Sequence, residues 1–336
     1  MRTQIVDIAY YLPERTESNT ELSRKNPAWN LDMVVQKTGV YTRYIADSEQ
    51  TAVDLGQRAV DRLALRNPGL LDHIDGLIFC SVTEDYQFPR NSYVLHERLN
   101  LPHSVFCLDI GLACSGFVYA LAVAHGLLHA GVLKNIILVT ADTYSKCISE
   151  KDRATKLLFS DGAAATWLGV SGSSAGLIDI DCGSFGKGFD GAWVPAGRAR
   201  RPSSVDTLCE REDASGNIRT LEQLHMDGKR MLAMVGSLVP KQVRQLLQRN
   251  GLTVEDIDLF VFHQASKLVL DSLEKLLRLP YDKNFRNLTE VGNITSASIP
   301  VALKNALEDG RLKRGDRIVI SGFGAGFSFG SAILEM

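Results

Sequence analysis

Near-continuous apolar runs of strand length alternate with helix-period segments along most of this chain. In the first half, strands are expected over 5–12, 74–81, 105–110, 135–142 and 163–170, the last following an Asp161-Gly162 turn. Between the first two, 51–65 carries Val53, Leu55, Ala59, Val60 and Leu63 at the spacing of one helical face, with Thr51 placed to cap it. A short helix over 92–99 and a long Ala-rich one, opened by Cys114 and running to about Ala130, complete that half. The rhythm then repeats. A helix over 228–249, interrupted near Pro240, leads to a strand over 257–263 and helices over 267–277 and 298–308. A final strand over 317–321 runs into the Gly-rich stretch 322–330. Strands that are apolar on both faces need cover on both, which implies an α/β fold with sheets packed between helices.

The strand, small turn and helix around Cys114 resemble the passage from Val261 through Ser266, which suggests an internal duplication. The expected division is 1–175 and 176–336, with a surface insertion near 181–224 rich in Gly, Arg, Ser, Asp and Glu. With 336 residues, 45% of them hydrophobic, the chain can bury a large core. A formal net charge of -2 gives no sign of a nucleic-acid binder. The six cysteines, at 80, 107, 114, 147, 182 and 209, form no CxxC pair or regular framework, so reduced thiols in a cytoplasmic protein are expected. The N-terminal residues show no signal-peptide hydrophobic region, and no apolar run reaches membrane-spanning length.

Three features carry candidate chemistry. Cys114 follows a strand and opens a helix, where unpaired N–H groups and the positive end of the helix dipole favour thiolate over thiol. A small core cysteine is the ordinary alternative. His263 ends the apolar run Leu259-Phe-Val-Phe-His263, at the strand end where open α/β folds place their sites; a histidine tying down a loop is the plainer reading. Asn293, in Gly292-Asn293-Ile-Thr-Ser-Ala-Ser-Ile-Pro300, is either a turn residue or a polar contributor to the same site. The stretch 322–330 lacks a phosphate-loop Gly-Lys-Ser/Thr ending and is not a dinucleotide fingerprint, so it reads as a shaped wall or a source of backbone donors. No cluster has convincing metal-ligand spacing.

These runs together resemble β-ketoacyl-acyl-carrier-protein synthase III of the thiolase superfamily. Lys37-Thr-Gly-Val, Phe88-Pro89, Asp152-Arg153 and Phe159-Ser-Asp-Gly-Ala-Ala-Ala add to the likeness, in the family's order and across essentially the whole chain. The resemblance implies a thiolase-like α/β fold of duplicated, five-layered αβαβα architecture, assembled as a homodimer. It implies that Cys114 becomes acylated by an acyl thioester, acyl-CoA above all, with His263 aiding thiolate formation. His263, largely neutral, and Asn293 would then bind the thioester carbonyl of malonyl-acyl-carrier protein and hold the enolate formed as CO2 leaves. Backbone N–H groups of Cys114 and Ala325 would form the oxyanion hole. No metal or redox cofactor is implied; coenzyme A enters as a thioester substrate.

Departures from the family pattern bear on substrate. Ser266 stands where the family has Asn after His-Gln-Ala. Lys37 replaces an arginine, keeping the charge and losing the planar fork. Met33 stands near the place of a tryptophan that stacks on the CoA adenine, with Trp29 offset, and the segment at Gly228 also differs. Lys37, Arg153, Gly228 and Ser266 are the candidate CoA contacts. Phe88 matches a residue that reaches across the dimer interface and limits the acyl pocket. Glu84 is a possible alternative base for condensation without decarboxylation, or simply part of an exposed acidic loop. Acyl transfer to an alcohol or amine, and a noncatalytic acyl-binding subunit, are the remaining readings; intact Cys114, His263 and Asn293 count against the last. Lys267 and Lys275 are candidates for docking the acidic carrier protein, or a solvated helix face. Chain length, branching and pathway, whether fatty-acid initiation or a specialised synthesis, stay open, with the CoA-site departures leaning toward the specialised.

Overall fold

The computed structural model describes residues 2–29, 31–172 and 175–336, without the side chains of 32, 33 and 171. The main elements in chain order are β1 (Arg2–Tyr11), α1 (Ala52–Arg66), β2 (Gly76–Cys80), α2 (Asn91–Arg98), β3 (Phe106–Ile110), α3 (Gly116–His129), β4 (Asn135–Asp142) and β5 (Gly162–Ser171). They continue with β6 (Gly176–Ser184), α4 (Gly228–Arg249), β7 (Leu259–Phe262), α5 (Lys267–Leu277), α6 (Ser298–Glu308), β8 (Arg317–Gly324) and β9 (Ser328–Glu335). One sheet has the order β1-β5-β4-β2-β3, with β2 parallel to β3 and β4, and β5 antiparallel to β4 and β1. The other has the order β6-β9-β8-β7, with β7 parallel to β8, and β9 antiparallel to β8 and β6.

The helices sort into three layers around these two sheets. α3 packs on β2 and β4 from one side and on β8 and β9 from the other; α6 likewise bridges β1 and β5 to β7 and β8. Phe117, Leu121, Ile299 and Leu303 from this central pair meet Ile78, Ile136, Ile318 and Ile320 in one apolar core. α1 covers the outer face of the first sheet, opened by a reciprocal hydrogen-bonded cap between Thr51 and Asp54. Its Val53, Leu55, Val60 and Leu63 bury against Phe79 and Val139, each contributing roughly 1.5–3 kcal/mol. α4 and α5 cover the outer face of the second sheet. The result is a five-layered αβαβα stack of thiolase type.

Several expectations are corrected. The duplication has a different register: β7 occupies the place of β2, and the parallel bridge between Phe260 and Asn284 takes the place of β3. The counterpart of the Cys114 passage into α3 is therefore the Asn293 passage into α6, not Val261 through Ser266. α4 runs unbroken through Pro240, because its buried face of Val235, Val239, Val243, Leu246 and Leu247 offsets a proline cost of about 3 kcal/mol. The Gly-rich stretch is a hairpin whose second arm, β9, is a full strand. Its small residues allow close packing, since a side chain at Gly330 would press on Val118 of α3. Residues 181–184 belong to β6 rather than to an insertion, and Leu224 within the supposed surface excursion is buried.

Candidate active site

Cys114 is half-buried two residues before the first turn of α3. The side chain of its neighbour Ser115 meets Ser328 of β9 at 2.6 Å, joining the loop to the second sheet. β8 passes directly behind the cysteine. A Cβ built on Gly324 would lie 2.7 Å from Cys114 Cβ and 3.1 Å from Sγ, so only glycine leaves the sulfur its place. Burial, and then the negative charge of Asp142, push the thiol up to about 12, while the cysteine's own N–H pulls the other way. The helix begins at Gly116, one residue beyond its Ser115 cap, and burial works against the thiolate that a helix N-terminus favours.

His263 follows β7 directly, its N–H donating to Ser321 O at 2.8 Å across to β8. The ring meets Phe323 edge-on, with centroids 5.7 Å apart. Nδ1 is buried without a partner among the described residues. A buried lone pair costs less than a buried unpaired N–H, which assigns the proton to Nε2, on the side facing the cavity. Burial lowers the imidazole to about 3, so it is neutral. This has a measurable sign. Above its ordinary value of 6.5 both folded and unfolded states are neutral; below it, only the unfolded state takes the proton until about 3. The stability contributed by the neutral ring is complete above 6.5 and is lost as pH falls toward about 3. His263→Gln is therefore expected to lose less melting temperature than wild type between about pH 7 and about pH 5. Equal losses would show that the folded-state ring protonates freely.

Asn293 is presented by a loop that turns at Gly292, whose φ of 75° suits glycine. The loop is pinned by Asn293 N–H to Leu158 O at 3.1 Å and by Ser160 N–H to Asn293 O at 2.9 Å. The Asn293 side chain has a fixed orientation: Oδ1 accepts from Thr295 N–H at 3.0 Å, and Nδ2 donates to Ala265 O at 3.3 Å. One Nδ2 hydrogen remains for the cavity. Thr295 is held at φ 50° with its hydroxyl donating to Asp142 at 2.5 Å. The buried Asp142 also accepts from Ser296 Oγ at 2.7 Å, Val82 N–H at 2.9 Å and Ser81 Oγ at 3.1 Å. It thus ties the ends of β2 and β4 to the Asn293 loop. Burial raises its carboxyl, against those hydrogen bonds, which favour the anion.

Cys114, His263 and Asn293 line one cavity of about 120 Å³, together with Tyr144, Phe323 and Ala325. Gly228, the first residue of α4, and Ser266 also line it. Ser266 doubles as the cap of α5, accepting from Val269 N–H at 3.3 Å. Lys37 is exposed at the end of the helix Leu31–Thr38, and Arg153 is half-buried at the start of Arg153–Lys156; neither lines the cavity. The Met33 side chain lies outside the described residues. Phe88 is 80% exposed. Glu84 is bound by Arg90 at 2.6 Å and Arg198 at 3.5 Å, and lines a separate cavity with Asp109. Within one chain, Glu84 does not line the cavity that holds Cys114.

Asp142 and Tyr144 were not anticipated. A carboxylate closing an otherwise apolar strand was the available signal for Asp142, since the carboxyl ends of such strands converge on sites. Tyr144, just beyond it, carried no separate signal. Among the described residues no group of three or more His, Cys, Asp or Glu is arranged to hold a metal ion, and no helix is long and apolar enough to cross a membrane.

Comparison with known proteins gives consistent matches. Residues 108–186 match the family model of 3-oxoacyl-[acyl-carrier-protein] synthase III, and residues 247–336 match the model of its C-terminal part. The chain is 32% identical to a β-ketoacyl-[acyl-carrier-protein] synthase III of Campylobacter curvus, over 100% of this chain and 97% of that protein. It is also 32% identical to the protein of that name from Caldanaerobacter subterraneus, covering 98% and 97%. A crystal structure of a 3-oxoacyl-(acyl-carrier-protein) synthase III superposes with a TM-score of 0.97 at 36% identity, covering all of both chains.

Proposed function

Because this chain belongs to the 3-oxoacyl-[acyl-carrier-protein] synthase III family, we propose that it condenses an acyl-CoA with malonyl-acyl-carrier protein through an acyl-Cys114 intermediate. The observation that carries the reading is the single cavity into which Cys114, His263 and Asn293 converge from loops of both sheets.

Cys114 Sγ attacks the acyl thioester carbonyl, the bond to the CoA sulfur breaks, and the thiol proton ends on the departing CoA. The N–H groups of Cys114 and Ala325 are the donors for the tetrahedral oxyanion. In the second half-reaction the C–CO2 bond of the malonyl group breaks and its electron pair moves to the thioester oxygen as an enolate. His263 Nε2–H and Asn293 Nδ2–H donate to that oxygen, an interaction that strengthens as charge develops and so lowers the barrier rather than only the substrate's energy. The enolate carbon then attacks acyl-Cys114, the C–S bond breaks, and the sulfur regains a proton. A neutral imidazole suits this work, since a donor is needed and a fixed positive charge is not.

Lys37 and Arg153 would take the CoA phosphates at the mouth of the cavity, with Gly228 and Ser266 along its wall. A second copy of this chain would cover the open edge of β3, where Phe106 is exposed; Phe88, exposed as well, would then reach the partner's acyl site. Lys267, paired with Asp271, and Lys275 on α5 would meet the acidic carrier protein. Six free cysteines suit the reducing cytoplasm.

Intact-protein mass spectrometry tests the reading. Acyl-CoA is expected to add one acyl mass to the protein, and malonyl-carrier protein to discharge it as a β-ketoacyl product with loss of CO2. No adduct across a broad acyl panel would reject it, and an adduct released only to alcohols or amines would make the chain a transferase of another kind.

A further inference from the structure

Tyr144 is the polar exception in the deep wall of the reaction cavity. It opens the short turn Tyr144–Cys147 just beyond β4 and is almost wholly enclosed. Its ring tilts against Phe159, with centroids 4.8 Å apart. Phe159, Leu158, Leu224, Met231 and Val235 make the surrounding wall apolar. The Tyr144 hydroxyl makes no hydrogen bond to any described residue, and the side chain lines the cavity together with Cys114. A phenylalanine would supply the same ring contact. An enclosed phenol without a partner is costly, and the remaining role for the oxygen is to meet a ligand.

We infer that Tyr144 sets the acyl specificity of this site, selecting a short acyl donor that carries a neutral oxygen, a hydroxyl or keto group, beyond its thioester carbonyl. The inference rests on the synthase reading and narrows its first substrate. Size follows from the cavity: about 120 Å³ is somewhat less than the roughly 150 Å³ of an engineered apolar cavity that takes up benzene. Neutrality follows from the charges at hand. The nearby groups that act on Tyr144 are Cys114, Cys147 and Asp142, all anionic or neutral, and no cation lines this part of the wall. Burial first, and these groups after it, hold the phenol in its protonated, donating form, well above its ordinary value. A carboxylate-bearing acyl group would meet repulsion there, whereas a hydroxyl or ketone oxygen accepts the phenol proton.

The test measures rates of Cys114 acylation by mass spectrometry for butyryl-CoA, 3-hydroxybutyryl-CoA, acetoacetyl-CoA and octanoyl-CoA, in the full-length wild type and in Tyr144→Phe and Tyr144→Leu. Wild type is expected to favour an oxygenated four-carbon donor over butyryl-CoA by about 10-fold or more in kcat/KM. In Tyr144→Phe that ratio collapses toward one, and Tyr144→Leu gains on octanoyl-CoA. Wild type that takes butyryl-CoA as readily as both oxygenated donors overturns the inference, as does a Tyr144→Phe protein that slows malonyl decarboxylation instead, which would place the hydroxyl on the second substrate. If no donor acylates Cys114 at all, the synthase reading itself fails, a result distinct from either.

Discussion

Cys114→Ala is expected to form no acyl adduct with any acyl-CoA and to lose condensation by roughly 10⁶-fold, the scale seen when a covalent nucleophile is removed. It should still release CO2 from malonyl-carrier protein, because the enolate donors His263 and Asn293 do not depend on the sulfur for their positions. His263 hangs from β8 through Ser321, and Asn293 is oriented by Thr295 and Ala265. The smaller side chain fits, since the space before Gly324 is already the tight side of the sulfur. Parallel assays of adduct mass and CO2 release check both halves. None of the other five cysteines lines the cavity, and Cys80 is fully buried and donates to Leu112 O. An adduct that survives the substitution would therefore move the nucleophile elsewhere and dismantle the proposed first half-reaction.

What could be read ahead of the structure was whatever a short stretch of chain decides for itself. β4, α4, α5 and α6 have the residue limits that apolar runs and helical periodicity give: α4 and α5 each bury one continuous face against a sheet, while β4 and α6 are buried almost throughout. β9 escaped because its small residues, Ser328, Gly330, Ser331 and Ala332, carry a loop-like composition. They form a strand because they pair with β8 on one side and β6 on the other, with Gly330 close against Val118 of α3 and Cys182 of β6, and no local window contains that information. The register of the duplication was missed for a similar reason. Val261 through Ser266 looks like the Cys114 passage in composition, whereas the true counterpart is fixed by which strands pair, through the single bridge from Phe260 to Asn284.

The site divides along the same line. Cys114, His263 and Asn293 were legible as residues whose types and motifs carry chemistry, but not their environment. The thiol's upward shift comes first from its burial and then from Asp142, 28 positions along the chain from Cys114 by the sequence numbering. Glu84 shows the converse. An acidic loop reads as a candidate base, and only the folded chain shows its carboxylate already engaged by Arg90 and Arg198.

Asn293→Ala should slow malonyl decarboxylation by about 10²–10³-fold, the cost of one oxyanion donor, about 3–4 kcal/mol, while leaving Cys114 acylation within about threefold. The separation follows from geometry. Asn293 Nδ2 has one hydrogen on Ala265 O and one for the cavity, and its oxygen is taken by Thr295 N–H, so the amide cannot turn over to present an acceptor instead. The loop itself should survive, because Asn293 is held through its backbone to Leu158 and Ser160, and Thr295 and Ser296 remain bonded to Asp142. Single-turnover acylation and CO2 release, measured on the same preparation, read the two half-reactions apart. Unimpaired CO2 release would remove Asn293 from the enolate site. Equal losses in both assays would mean that the substitution disturbs the shared cavity, and that the Asn293 amide is not a donor reserved for the charge that develops as CO2 departs.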